Sequence, residues 1–210
     1  MNVWANVKKV TLGGMFVGAM MLASSLTVTG CLTDDDKDPD TTATAKDSTA
    51  VKTATVGAQS NTTTGSFIEL DAWKILKVAE VTTSNASDID LVFAYSTSAD
   101  AAAFYSPDSA AGGIGGSAGF DFVKTALGTN AASTNIRKIS GTVYEGIKTT
   151  DDLNAAWTAS AGADTKSRLV VANGDAFIAE STKGLKVAIK LTALTATAAG
   201  SAAFEGKAKW

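Results

Sequence analysis

Residues 168–210 carry the clearest hydrophobic pattern in the chain. Leu185, Val187, Ile189 and Leu191 alternate with Lys186, Ala188, Lys190 and Thr192, which gives a strand with one apolar face. Ala202, Phe204, Gly206, Ala208 and Trp210 alternate with Ala203, Glu205, Lys207 and Lys209, and predict one apolar and one charged face. Ahead of these, residues 168–172 and 175–179 are apolar on both faces, as central strands are. Asn173-Gly174 between them is the dipeptide best suited to a type I′ hairpin turn, because both turn positions need positive φ. Turns at residues 182–184 and at Gly200 complete four consecutive antiparallel strands. Such a meander needs a second layer over its apolar face.

Shorter runs upstream supply that layer. Residues 66–70 and 73–78 are β-prone stretches around an Asp71-Ala72 break. After a turn at 84–87, residues 88–95 place Ile89, Leu91 and Phe93 on one strand face and start the other with Asp88 and Asp90. Phe104 and Tyr105 end a strand before Pro107, which lacks a ladder donor and drives Ser106 to extended geometry. Residues 120–127 fit a short helix ending at Gly128, with Phe120, Val123 and Leu127 on one side, and fit a strand nearly as well. Residues 136–139 and 142–144 read as short strands. Thr149-Thr150-Asp151-Asp152 is an N-cap with a capping-box acid, opening a helix that carries Leu153, Ala156 and Trp157 and stops at Gly162. The expected architecture is mainly β (α+β), an antiparallel two-layer β-sandwich-like domain over residues 65–210 with one or two short helices.

The pattern changes before residue 65. Residues 32–64 hold no aromatic side chain and are dominated by Thr, Asp, Ala and Ser, too little apolar surface to offset ordering entropy. They read as a flexible stalk. Residues 10–28 form an apolar run behind Lys8 and Lys9, and no acid occurs before Asp34. A run of about 19 residues is long enough to cross a bilayer as a helix. Gly13, Gly14, Gly18, Ser24, Ser25, Thr27 and Thr29 dilute it, which favours a cleaved export signal over residues 1–30.

That run closes on Val28-Thr29-Gly30-Cys31, which resembles the lipobox of bacterial lipoproteins. The resemblance implies cleavage between Gly30 and Cys31, a diacylglyceryl thioether on Cys31, and acylation of the new N-terminus by a palmitate-like chain. A single acyl chain binds a membrane only marginally, whereas two or three hold durably. Asp34-Asp35-Asp36-Lys37-Asp38 resembles the acidic tract that some Gram-negative lipoproteins carry for delivery to the cell surface; a solvated charge run is the alternative. Leu32 stands where the inner-membrane retention pattern has Asp, so the resemblance implies a lipid-anchored outer-membrane location.

Composition then removes most chemistry. The chain has no histidine, its four methionines are Met1, Met15, Met20 and Met21, and Cys31 is its only cysteine. A mature domain starting at Cys31 therefore lacks the residues for His/Cys zinc sites, Ser-His-Asp or Cys-His nucleophiles, and haem ligation. No catalytic residue, metal or cofactor is expected. Cleavage also takes away two of the 18 basic residues and none of the 21 acidic ones, which argues against a nucleic-acid partner. Residues 176–190, with the final strand through Phe204, resemble the C-terminal strands of hemophore-like surface lipoproteins. That family holds haem through histidines or methionines, so the resemblance extends to the fold and haem is not an expected ligand.

The leading expectation is a lipid-tethered, non-catalytic binding domain that contacts a polysaccharide, a peptide or another envelope protein. Trp73, Tyr95, Tyr105 and Trp157 are candidates for stacking a sugar ring, with core packing as the alternative. A carboxylate-dependent hydrolase acting on extracellular polysaccharide is the second expectation, and needs two acids about 5 to 10 Å apart. Asp88, Asp90, Glu145 and Asp175 are its sources, though no spacing singles out a pair. Asp88 and Asp90 alone do not make a calcium cage. Gly113, Gly115 and Ala118 match a dinucleotide loop only superficially, because no strand leads into them. The aromatic terminus at Trp210 looks like a barrel-insertion signal, but Lys183, Lys186, Lys190, Lys207 and Lys209 crowd the last hairpin and break any lipid-facing band.

Overall fold

The computed structural model describes residues 47–111, 121–162 and 167–210. The signal segment, Gly30, Cys31, the acidic tract and the Gly-rich stretch 112–119 lie outside the described residues. Ten strands among the described residues form two antiparallel sheets. The first has the order β1 (Ala50–Gly57), β10 (Ser201–Ala208), β9 (Lys186–Leu194), β8 (Ala176–Glu180), β6 (Asn135–Ile139). The second runs β3 (Lys74–Leu76), β2 (Phe67–Glu69), β4 (Leu91–Ser96), β5 (Ala101–Tyr105), β7 (Arg168–Val170). The expected antiparallel β-sandwich is present.

Alternation sets the inner faces. Val187, Ile189 and Leu191 of β9, and Ala202, Phe204 and Ala208 of β10, meet Leu91 and Phe93 of β4 and Phe104 of β5 in one buried cluster. Phe104 is its centre, with ring centroids 5.1 Å from Phe93, 5.0 Å from Phe177 and 6.1 Å from Phe204. Helices cover the outer faces. On the second sheet, α1 (Pro107–Ala111) and α2 (Asp121–Leu127) bury Ala110, Val123 and Leu127 against Phe67, Val92 and Tyr105. On the first, α3 (Gly141–Gly146) and α4 (Thr150–Ala159) bring Tyr144 and Leu153, with Ile147 between them, onto Ile139, Ile178 and Ala188. The α4 start is the capping box read from sequence, with Thr149 Oγ1 accepting from Asp152 N and Asp152 accepting from Thr149 N.

Four expectations need correction. The stalk does not extend to Thr64: β1 lies inside it and pairs with β10 along its whole length, from Ala50↔Ala208 to Gly57↔Ser201. Its Val, Thr and Ala positions bury only Ala54 in part and Val56 fully, so the ladder rather than a large side chain holds it. Residues 142–144 are helical in α3, because Ser140 Oγ accepts from Val143 N and caps the turn that β-branched Thr142 and Val143 had suggested was a strand. The four-strand meander is three strands, β8 to β10; β7 pairs with β5 in the other sheet. Finally, the charged face of β10 is not all solvated, since α3 covers Lys207, which is 6 % exposed.

The missing hairpin has a local cause. Gly174 takes φ 83, but Asn173 is not in the left-handed region, so the type I′ geometry is absent. Asp175 N donates to Ala172 O at 3.1 Å, closing a turn with the positive φ at its third residue only. That turn carries the chain from one sheet across to the other.

Candidate functional site

The buried polar centre of the domain is Asp90, just ahead of β4 and fully enclosed. Its Oδ2 accepts from Leu70 N at 2.7 Å and its Oδ1 from Thr182 N at 2.9 Å. Leu70 follows β2, and Thr182 lies in the β8–β9 turn, so one carboxylate ties the two sheets together. Burial pushes its pKa from 3.8 up to about 6, against the two backbone donors and with help from the Asp71 charge. Around it, Ser181 Oγ donates to Asp71 Oδ1 at 3.0 Å and accepts from Lys183 N and Leu185 N. Lys183 reaches Asp88 at 3.1 Å.

The other acids considered for hydrolysis are engaged as well. Glu145 pairs with Lys190 at 2.5 Å, and that hydrogen bond holds its carboxyl below the usual range. Asp175 pairs with Lys138 at 2.9 Å and accepts from Ala172 N at 2.9 Å. Asp90 is thus closed to any substrate and Asp175 closes its own turn, while Asp88 and Glu145 sit in solvent-exposed ion pairs.

The four aromatic candidates are not brought together. Tyr105 is 1 % exposed beneath α2, closed to a ligand. Trp73 packs edge-on to Phe204 (5.5 Å) and Trp210 (4.7 Å), and its Nε1 donates to Thr53 O at 3.1 Å. Tyr95 donates to Asp100. Trp157 carries the Arg137 guanidinium 3.8 Å from its ring centroid. Trp73 and Tyr95 pack against the inter-sheet core, Tyr105 belongs to the cluster under α2, and Trp157 to the one under α4.

A site that sequence reasoning missed lies at the β1–β2 connection. There, Gln59, Asn61, Thr62, residues 64–66 and residues 77–79 line an open cleft of about 250 Å³. Its walls are fixed by two amides. Asn61 Oδ1 accepts from Thr63 N (2.9 Å) and Thr64 N (3.0 Å), while Nδ2 donates to Ala199 O and Gly200 O, both at 3.2 Å. Gln59 grips the Tyr95 backbone, donating to its carbonyl at 2.6 Å and accepting from its N–H at 2.9 Å. Gly57 lets the loop settle, since a Cβ there would lie 2.3 Å from Thr64 Oγ1. Its only sequence signal was the Asn-Thr-Thr-Thr-Gly run, which composition alone assigned to the stalk. Compared with known proteins, the chain matches no family model, no curated protein and no solved structure.

Proposed function

We propose that this protein is a lipid-anchored envelope lipoprotein, tethered through Cys31 in the outer membrane, which displays a non-catalytic binding domain to the outside. The observation that carries the reading is Val28-Thr29-Gly30-Cys31, the chain's one cysteine placed directly after an apolar, acid-free segment. Supporting the binding role, two of the carboxylates weighed for hydrolysis, Asp90 and Asp175, hold backbone N–H groups of the fold. With β1 bonded into the sheet from Ala50, the tether in this reading is shorter than composition had suggested. A glycan or an envelope protein is the proposed class of partner.

Mass spectrometry of the protein extracted from membranes tests the anchor. A mature chain beginning at an acylated Cys31 is the expected product, and Cys31→Ser should leave the protein unacylated and release it from the membrane fraction. An intact N-terminus with a free thiol overturns the proposal.

A further inference from the structure

We propose that the corner of the sandwich where β1 starts and β10 stops, built around Trp73, Trp210, Lys52 and Val51, is a docking surface for the lipid headgroup layer that holds the Cys31 acyl chains. The proposal rests on the anchored reading above and adds which part of the domain meets the membrane.

The residues after β10 lie against those that lead into β1. Trp210 Nε1 donates to Ala50 O at 3.2 Å, and Lys209 pairs with Asp47 at 2.6 Å. In the anchored reading the tether arrives at this corner. Only 15 residues, 32–46, separate Cys31 from Asp47, so the corner stays within about 55 Å of the acylated sulfur even on a fully extended chain. It is the part of the domain that the covalent chain holds nearest the lipid.

The corner is also aromatic and partly open. Trp73 and Trp210 meet edge to face with centroids 4.7 Å apart, each partly buried against the inter-sheet core. The Trp73 ring is fixed from below, where a Cβ on Gly206 would lie 2.1 Å from it, and Trp73 itself takes φ 52, a left-handed backbone that bulky residues rarely adopt. Both indole N–H groups are consumed inside the protein, Trp73 on Thr53 O at 3.1 Å and Trp210 on Ala50 O. An indole with its donor paired enters the headgroup boundary without leaving a polar group unsatisfied, and has no donor to spare for a sugar hydroxyl. Beside the rings, Val51 at 56 % exposure is the most open of the large apolar side chains described. Lys52 completes the pattern. Its ammonium stands 4.2 Å from the Trp210 centroid and has no ion pair among the described residues, which leaves it for a lipid phosphate.

Trp157 lacks this setting, because the Arg137 guanidinium covers its ring at 3.8 Å and it packs in the cluster under α4. Net charge does not drive the contact, since Asp34, Asp35, Asp36, Asp38 and Asp40 lie in the same tether. The drive is the affinity of an aromatic and aliphatic surface for the bilayer boundary. Such a contact is weak alone and is held by the effective concentration that the anchor supplies.

The test uses the mature acylated protein, labelled with fluorotryptophan and reconstituted into nanodiscs of phosphatidylethanolamine and phosphatidylglycerol that contain headgroup spin-labelled lipid. Trp73, Trp157 and Trp210 are its three fluorine probes, and a further resonance from Trp4 would betray an uncleaved signal. The spin label should remove most of the Trp73 and Trp210 intensity and spare Trp157. Val51→Asp should restore both resonances with the near-UV circular dichroism unchanged, and Val51→Leu should leave them broadened. Equal loss at all three probes, no loss at Trp73 and Trp210, or no effect of Val51→Asp overturns the docking surface; with Cys31 acylated, each of these leaves the anchor standing. Concentration-dependent shifts of the same two resonances in detergent without lipid would assign the corner to a second copy of the chain and overturn it too. An unacylated, uncleaved chain removes the anchor and the docking surface together.

Discussion

The Lys207 ammonium donates to the Tyr144 carbonyl at 2.8 Å and lies 4.2 Å from the centroid of the same residue's ring. It also reaches Ile147 O at 3.3 Å, so a strand lysine satisfies carbonyls at the end of α3. Burial pushes its pKa down, yet it remains the link between β10 and that helix. Lys207→Met keeps the aliphatic bulk and removes the donors. The variant should lose about 1 to 3 kcal/mol, the cost of leaving the Ile147 carbonyl without its donor while Tyr144 O keeps only the Ile147 N–H. Thermal denaturation reads this as a fall of roughly 2 to 10 °C for a domain of this size.

Asp90 gives the domain a pH dependence of defined sign. Its folded-state pKa, about 6, lies above the 3.8 of the free group, so the folded form holds this proton more tightly. The stability it contributes is complete below pH 4 and is lost as pH rises through 6. A shift of about two units corresponds to about 3 kcal/mol at most. Urea denaturation should show this share as greater stability at pH 5 than at pH 7.5. Asp90→Asn should abolish that slope and cost about 1 to 3 kcal/mol at pH 5, because its amide nitrogen faces either Leu70 N–H or Thr182 N–H. A variant retaining the wild-type slope would place the titrating group elsewhere.

Gly206 sits under an indole. A Cβ on it would lie 2.1 Å from the Trp73 ring, which is held by its bond to Thr53 O and by Phe204 and Trp210. Gly206→Ala should cost about 1 to 3 kcal/mol through overpacking. It should also change the near-UV circular dichroism of the Trp73 and Trp210 pair, while a control at exposed Val51 changes neither.

The sheet interior was legible because period-2 alternation at Val187, Ile189, Leu191 and Phe204 leaves a single choice of inner face. The α4 cap was legible for an equally local reason. What escaped was decided by pairing. Nothing within residues 50–57 reveals that β10 has an open edge for them, and nothing around Thr142 outweighs two β-branched residues until Ser140 and the buried Tyr144 ring are seen together. Lys207 was read as solvated because alternation reports which face a residue takes and not what later covers it. The aromatic candidates dispersed for the same reason: Tyr105 and Trp157 point to opposite outer layers that only the helices define. The cleft was hidden most completely, since the Asn61 Nδ2 and both ends of the Gln59 amide act through partners 36 to 139 residues away.

The Asn173-Gly174 turn separates two readings of one dipeptide. If both positions needed positive φ, as in a type I′ hairpin, replacing either by alanine would be costly. In the structure only Gly174 does, at φ 83, and exposed Asn173 lies outside the left-handed region. Nothing surrounds Gly174 within 4 Å of an added Cβ, so its cost is conformational and not steric. Gly174→Ala should therefore destabilise the domain by about 1 to 2 kcal/mol, the typical cost of a non-glycine residue held there. Asn173→Ala should stay within about 0.5 kcal/mol, as an exposed surface change does. Chemical denaturation of the two variants side by side decides the matter. Comparable losses in both would return residues 168–172 and 175–179 to a hairpin and β7 to the first sheet.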